Sequence, residues 1–148
     1  MDNTEFKEVL LKCTEKIGFK YCKSNYYYLN EKIIIVINAQ RSAYDDSYYI
    51  NYGFCIRAIH DNLDYPKISD CDIVGRFIND TNDTTEFDFQ LSKLTSNKLM
   101  ECLNGNINDI IMPLINDGIK KYFEFFPQSI IAAKRSLKEY LEQYDNRD

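Results

Sequence analysis

Residues 32–60 read KIIIVINAQRSAYDDSYYINYGFCIRAIH, and the alternation in this stretch decides the fold. Successive side chains of a strand point to opposite faces of a sheet. Ile33, Ile35, Ile37 and Ala39 therefore share one side, while Ile34, Val36, Asn38, Gln40 and Ser42 share the other. From Tyr48 to His60 the pattern repeats. Tyr48, Ile50, Tyr52, Phe54, Ile56 and Ala58 fall on one side, and Tyr49, Asn51, Gly53, Cys55 and Arg57 on the other. A four-residue loop at Ala43–Asp46 makes this a hairpin of a common kind. Ser42 then faces Ser47, Ala39 meets Ile50, Ile37 meets Tyr52, Ile35 meets Phe54 and Ile33 meets Ile56. One face becomes a ladder of aliphatic and aromatic pairs, which stabilise sheets well. The other face pairs Gln40 with Tyr49 and Asn38 with Asn51, and turns apolar at Ile34, Val36 and Cys55. A slip by one residue would set isoleucines against amides, so the register is specified.

Working outward, residues 1–148 fit a single domain with a sizeable core. Hydrophobic content of 45% and aromatic content of 14% argue against disorder. The net charge is −5 and no basic run exceeds Lys134-Arg135. Such a chain is a poor nucleic-acid binder, because phosphate neutralisation dominates that affinity. No apolar run approaches the roughly 20 residues of a membrane span, and MDNTEFKEVL is not a signal peptide. Five cysteines, an odd count without C-x-x-C spacing, predict free thiols in a reducing cytoplasm. No metal and no cofactor are expected.

In chain order, Phe6, Val9, Leu10, Cys13 and Ile17 form the stripe of a helix over Asp2–Ile17. Asp2 with Glu5 resembles a capping box, and Gly18 suits the C-terminal end. Short β segments follow around Tyr21 and Tyr26–Tyr28. After the hairpin and a loop at Asp61–Ser69, Cys71–Ile78 and Glu86–Leu91 predict a second hairpin, with Gly75 as a bulge. The remainder reads as helices over Ser92–Leu103, Ile107–Tyr122 (interrupted by Pro113) and from Pro127 onward, with Asp145–Asp148 fraying. The last helix carries Ile130, Ala133, Leu137, Tyr140, Leu141 and Tyr144. Strands between helices predict an α+β fold: an antiparallel sheet built as a meander around the 32–60 hairpin, with an N-terminal helix and C-terminal helices packed on one face.

Chemistry-bearing side chains collect on the polar half of the hairpin. Asn38, Gln40, Tyr49 and Asn51, with Arg41 and Arg76, offer amides, a phenol and guanidinium groups that suit a carboxylate, a phosphate or a partner's backbone. Mutual pairing of the two asparagines across the ladder is the structural alternative. Tyr44, Asp45 and Asp46 form an acidic, aromatic-tipped loop that suits a basic partner surface. Arg57, opposite Lys32, reads as a solvated strand end. His60 is the only histidine, and catalysis through it needs positioned partners that no motif supplies. The acidic clusters around Asp45 and Asp80 lack calcium-loop spacing and read as turns. No catalytic residue is assigned.

Several segments together resemble the bacterial family catalogued as domain of unknown function 4304. They are Ile17-Gly18-Phe19-Lys20, Val36-Ile37-Asn38-Ala39-Gln40-Arg41-Ser42, Tyr49-Ile50-Asn51-Tyr52-Gly53 and Cys71-Asp72-Ile73-Val74-Gly75-Arg76. The resemblance spans roughly residues 5–90. The family's usual cysteine-histidine pair stands here as Cys71-Asp72, and the tryptophan often found after it is missing. The resemblance implies a likeness to small accessory or immunity-type proteins of bacterial competition loci. The first expectation is a non-enzymatic protein-interaction module, monomeric or homodimeric, and more narrowly an immunity-type inhibitor of a bacterial effector. The second is a small-ligand or enzymatic pocket around Gln40, Tyr49, Asn51 and Arg76.

Overall fold

The computed structural model describes residues 1–130 and 135–145. Helix α1 (Asn3–Glu15) starts where the Asp2 carboxylate accepts the Glu5 N–H at 2.9 Å. It buries Phe6, Val9, Leu10 and Cys13, and the chain turns away at Gly18, whose φ of 96° favours glycine. Strands β1 (Lys20–Cys22) and β2 (Asn25–Leu29) follow. Lys23 and Ser24 join them at φ 52° and 69°, the left-handed pair of a tight hairpin without the usual Asn or Gly.

The long hairpin is β3 (Ile33–Arg41) and β4 (Ser47–Ile56), in the expected register from Ile33↔Ile56 to Arg41↔Tyr48. Strands β5 (Ile73–Arg76) and β6 (Asp88–Gln90) complete a six-stranded antiparallel sheet. Its order is β1-β2-β3-β4-β5, with β6 also on β4. The odd-numbered isoleucines of β3 and the even-numbered residues of β4 meet Phe6, Leu10, Leu99, Leu103 and Ile111 in one continuous core. The fold is therefore α+β, with helices on one face.

Several boundaries differ from the sequence expectation. Strand β4 stops at Ile56, and Arg57–Ile59 is a 3₁₀ turn. Arg57 is no solvated strand end: its Nε donates to the Asn30 carbonyl at 2.7 Å. The second hairpin is corrected as well. β5 pairs with Asn51–Phe54 and β6 with Ser47–Tyr49, so the two lie end to end along one edge of β4. A single bridge, Asn79↔Glu86, links them. The four-residue β5 is too short to cover the ten-residue β4, and the chain loops out and returns to cover the rest.

Gly75 is no bulge. It sits in register opposite Tyr52, and a Cβ there would lie 2.3 Å from the Tyr52 Oη. The missing side chain lets the phenol cross β5 and pair with Tyr122 Oη at 3.0 Å inside the core.

Helix α2 (Ser96–Asn106) begins later than expected, at a Thr95 cap, and runs through Gly105. A π turn at Ile107–Ile111 absorbs the approach of Pro113, which has no N–H to donate. α3 (Met112–Asp117) ends at Gly118, φ 80°, and α4 (Ile119–Phe125) follows. Pro127–Ile130 is a 3₁₀ turn rather than the start of the last helix. α5 (Arg135–Asp145) buries Leu137 and Leu141. Ala133 and the tail from residue 146, parts of the expected helix and its fraying end, lie outside the described residues, as do the side chains of Ile130 and Tyr144.

Gly75→Ala should destabilise the protein by about 1–3 kcal/mol, the range for overfilling a packed site. Urea unfolding of the variant checks this; unchanged stability would mean that Tyr52 does not need the space.

Candidate functional site

The second face of the sheet, turned away from the helices, divides into an open polar half and a covered apolar half. On the open half a row of hydrogen bonds crosses the strands in one direction. Arg76 Nε donates to Asn51 Oδ1 (2.9 Å), and Asn51 Nδ2 to Gln40 Oε1 (2.9 Å) and, more weakly, to Asn38 Oδ1 (3.4 Å). Asn38 Nδ2 donates to Asn25 Oδ1 (2.8 Å), Asn25 Nδ2 to Tyr27 Oη (3.3 Å), and Tyr27 Oη to the Pro66 carbonyl (3.0 Å). Each asparagine both gives and receives and Gln40 accepts, so the row is fixed before anything binds. The Arg76 guanidinium lies 4.4 Å from the Tyr49 ring centroid, a cation–π contact. A shallow groove on this half is lined by Gln40, Asn51 and Arg76 together with Ile68, Val74 and Phe87. Val74 and Phe87 are each 55% exposed.

The covered half lies under residues 61–72. Tyr27, Ile34, Val36, Cys55 and Cys71 form a second small core, with Leu63 and Ile68 packed against it. Gly53 is required beneath it: a Cβ there would meet the Cys71 Sγ at 2.7 Å. At its end the buried Asp72 grips β4 twice. Its N–H donates to the Phe54 carbonyl at 2.9 Å, and its Oδ2 accepts the Ile56 N–H at 2.8 Å. Asp72 Oδ1 lies 2.7 Å from His60 Nε2. The Cys55 thiol, between the two gripped positions, completes a group whose ligand atoms all lie within 4.8 Å of one another.

The structure gathers Asn38, Gln40, Tyr49, Asn51 and Arg76 on the open half, including the cross-strand asparagine pair. It separates the other candidates. Arg41 faces the helix side, where its Nη1 donates to Asn3 Oδ1 and its guanidinium stacks 5.2 Å from the Tyr48 ring. Asp46 accepts the Ser92 N–H at 3.1 Å and ties the tip to the turn after β6. Asp45 accepts the Ser47 N–H at 3.1 Å. Its carboxyl is held below the usual range, first by the neighbouring Ser47 side chain and then by Ser42. Tyr44 alone stands free, 98% exposed. Gln40, Asn51 and Arg76 line the groove on the face turned away from the helices, and the apolar cluster around Phe6, Leu10 and Phe54 packs on the other face.

Sequence reasoning missed Asn25 and Tyr27 in the amide row, and the Cys55–His60–Asp72 group. A spacing of five between Cys55 and His60, with Asp72 twelve further on, matches no common ligand motif. Only the 3₁₀ turn at Arg57–Ile59 brings the imidazole back to its strand. Burial pushes several groups away from ionisation. Tyr26 is raised to about 12 and Cys102 to about 11, both chiefly by desolvation. Tyr52 is raised by burial and by Tyr122, and Cys71 first by its contact with Cys55 and then by burial. None of these four is a ready nucleophile or proton shuttle at neutral pH.

Asp72→Ala should cost about 1–3 kcal/mol, since it leaves the buried Ile56 N–H without an acceptor. Asp72→Asn keeps an acceptor for that N–H and should cost less. Equal losses in chemical unfolding would count against the carboxylate's grip on β4.

A family model described as Domain of unknown function (DUF4304) matches residues 11–117. The match runs beyond the segments that carry the resemblance, through α2 to the end of α3. No curated protein and no solved structure matches the chain. With well over half of its length matched from within α1 to the end of α3, the chain belongs to the DUF4304 family.

Proposed function

We propose that this chain is a non-enzymatic protein-interaction module that docks a partner protein on the open half of the second sheet face. We further propose that it acts in the bacterial cytoplasm as an immunity-type inhibitor of an effector. The observation that carries the reading is the pre-bonded amide row ending in Arg76 on Tyr49, flanked by the exposed Val74 and Phe87. Protein interfaces combine a rigid polar frame with aromatic, aliphatic and Arg anchors. The groove is lined by Gln40, Asn51, Ile68, Val74, Gly75, Arg76 and Phe87, with no carboxylate, imidazole or thiol among them. It offers recognition and no general acid or base. Tyr44 and Asp45, both exposed at the tip, extend this surface toward a basic patch on the partner, in keeping with the net charge of −5. The five free cysteines fit a reducing compartment. Among the described residues no helix is long and apolar enough to cross a membrane.

The polar-pocket reading places a small anion on the same side chains. The openness of the groove favours a macromolecular surface over an enclosed ligand.

The test is capture from the native lysate, followed by calorimetry with the purified partner. Val74→Ser with Phe87→Ser should weaken binding by roughly tenfold or more. Tyr44→Ala with Asp45→Ala should weaken it less, and both variants should melt near the wild type, because these side chains are exposed. Wild-type affinity in the Val74/Phe87 variant would remove this face from the interface. A chain that captures no protein, but whose melting temperature rises with added phosphate or carboxylates, would favour the small-ligand reading.

A further inference from the structure

We propose that Cys55, His60 and Asp72 form a binding site for a transition-metal dication of the zinc class, with water in the fourth position. One thiol, one imidazole and one carboxylate converge, their ligand atoms within 4.8 Å of one another. They come from three different settings: strand β4, the exit of a 3₁₀ turn and the residue before β5. Thiolate and imidazole select zinc-like ions over magnesium and calcium, which take oxygen ligands.

Charge gives a second argument. The Asp72 side chain is fully buried, and His60, 22% exposed, is the group paired with it. Zinc bound by the Cys55 thiolate, the Asp72 carboxylate and a neutral His60 makes a site of zero net charge. That is a favourable way to keep an ionised carboxylate inside an apolar cluster. The change in geometry is about an ångström: tetrahedral zinc holds sulfur roughly 3.6 Å from its nitrogen and oxygen ligands, so the Cys55 Sγ, within 4.8 Å of both, would close by at most about 1.2 Å. Tetrahedral zinc holds nitrogen and oxygen ligands about 3.4 Å apart. The His60 Nε2 and Asp72 Oδ1 atoms, now at 2.7 Å, would part by about 0.7 Å, and the Cys55 thiol proton would pass to solvent as the metal binds. The supporting contacts are in place. The Ile56 N–H holds Asp72 Oδ2, leaving Oδ1 for the metal, as outer partners do in zinc sites. Cys71 packs beside Cys55 within the small core, and the exposed edge of His60 is the route from solvent.

The consequence is a staple. Residues 57–72 contain only two short 3₁₀ turns, and the metal would fasten both ends of this segment to β4.

The experiment uses the full-length chain, stripped of metal by chelator and titrated with cobalt(II) and then zinc(II). The expected result is one equivalent of cobalt, with visible bands of tetrahedral coordination and near-ultraviolet thiolate charge transfer, displaced by zinc. Zinc should raise the melting temperature of the wild type, and magnesium should not. Cys55→Ser should abolish the charge-transfer band, whereas Cys13→Ser should keep it. His60→Ala should weaken zinc binding by roughly 100-fold or more. X-ray absorption of the zinc-loaded wild type gives a reading that requires no variant to fold: one sulfur neighbour at about 2.3 Å among nitrogen and oxygen. Absence of a stoichiometric cobalt spectrum, retention of the charge-transfer band in Cys55→Ser, or an absorption spectrum without sulfur would each overturn the site.

Discussion

The antiparallel pairing of Ile33–Arg41 with Ser47–Ile56 is the constraint on which the rest of the molecule depends. Its period of two places Ile33, Ile35, Ile37, Ile50, Tyr52 and Phe54 under the helices, each nearly or fully buried. Burying a side chain of this size contributes about 1.5–3 kcal/mol as an upper estimate, and a one-residue slip would forfeit all six contributions together. The other elements attach to this frame. β2 continues it on one side, and β5 and β6 share the opposite edge of β4. The phenol of Tyr52 fixes the packing of α4 through Tyr122, which requires Gly75 to have no side chain.

The same alternation necessarily creates a second face, and the chain uses its two halves differently. Where Ile34, Val36 and Cys55 make it apolar, residues 61–72 cover it. Where Asn25, Asn38, Gln40 and Asn51 make it polar, it stays open and its amides satisfy one another. Tyr27 joins the halves. Its ring is buried in the small core, and its hydroxyl both receives from Asn25 and donates to the Pro66 carbonyl.

Much of this was legible in the sequence because the hairpin signal is local. Turn length and hydrophobic alternation agree on one register, and that register puts Asn38 beside Asn51. The family resemblance, carried by segments of the same sheet, agreed with it. The illegible parts depend on contacts distant in sequence. No local pattern says that β6 returns to β4 rather than pairing fully with β5, because both strands are short and only the length of β4 decides it. Gly75 reads as a bulge in one dimension and as room for Tyr52 in three. Asp46 and Arg41 looked like surface groups, yet Ser92 and Asn3 engage them. Asp72 looked like a departure from the family's pattern, yet it holds β4 at two points and meets His60.

The positions where the sequence departs from what its fold alone requires fall on this second face. Asparagine is depleted in strands, yet Asn25, Asn38 and Asn51 occupy three neighbouring strands at adjoining positions. A buried carboxylate costs stability unless it is paired, yet Asp72, the last residue of the covering segment, is buried beside the sole histidine. Folding would be served as well by threonine or valine in the row, and the Ile56 N–H that Asp72 satisfies needs an acceptor but not a carboxylate. Such local conflicts are expected where a surface is shaped for something other than stability. Tyr27 binds the two conflicts into one structure. Whatever orders residues 61–72 also holds Pro66, and Pro66 fixes the last acceptor of a hydrogen-bond row whose first donor is Arg76 in the open groove.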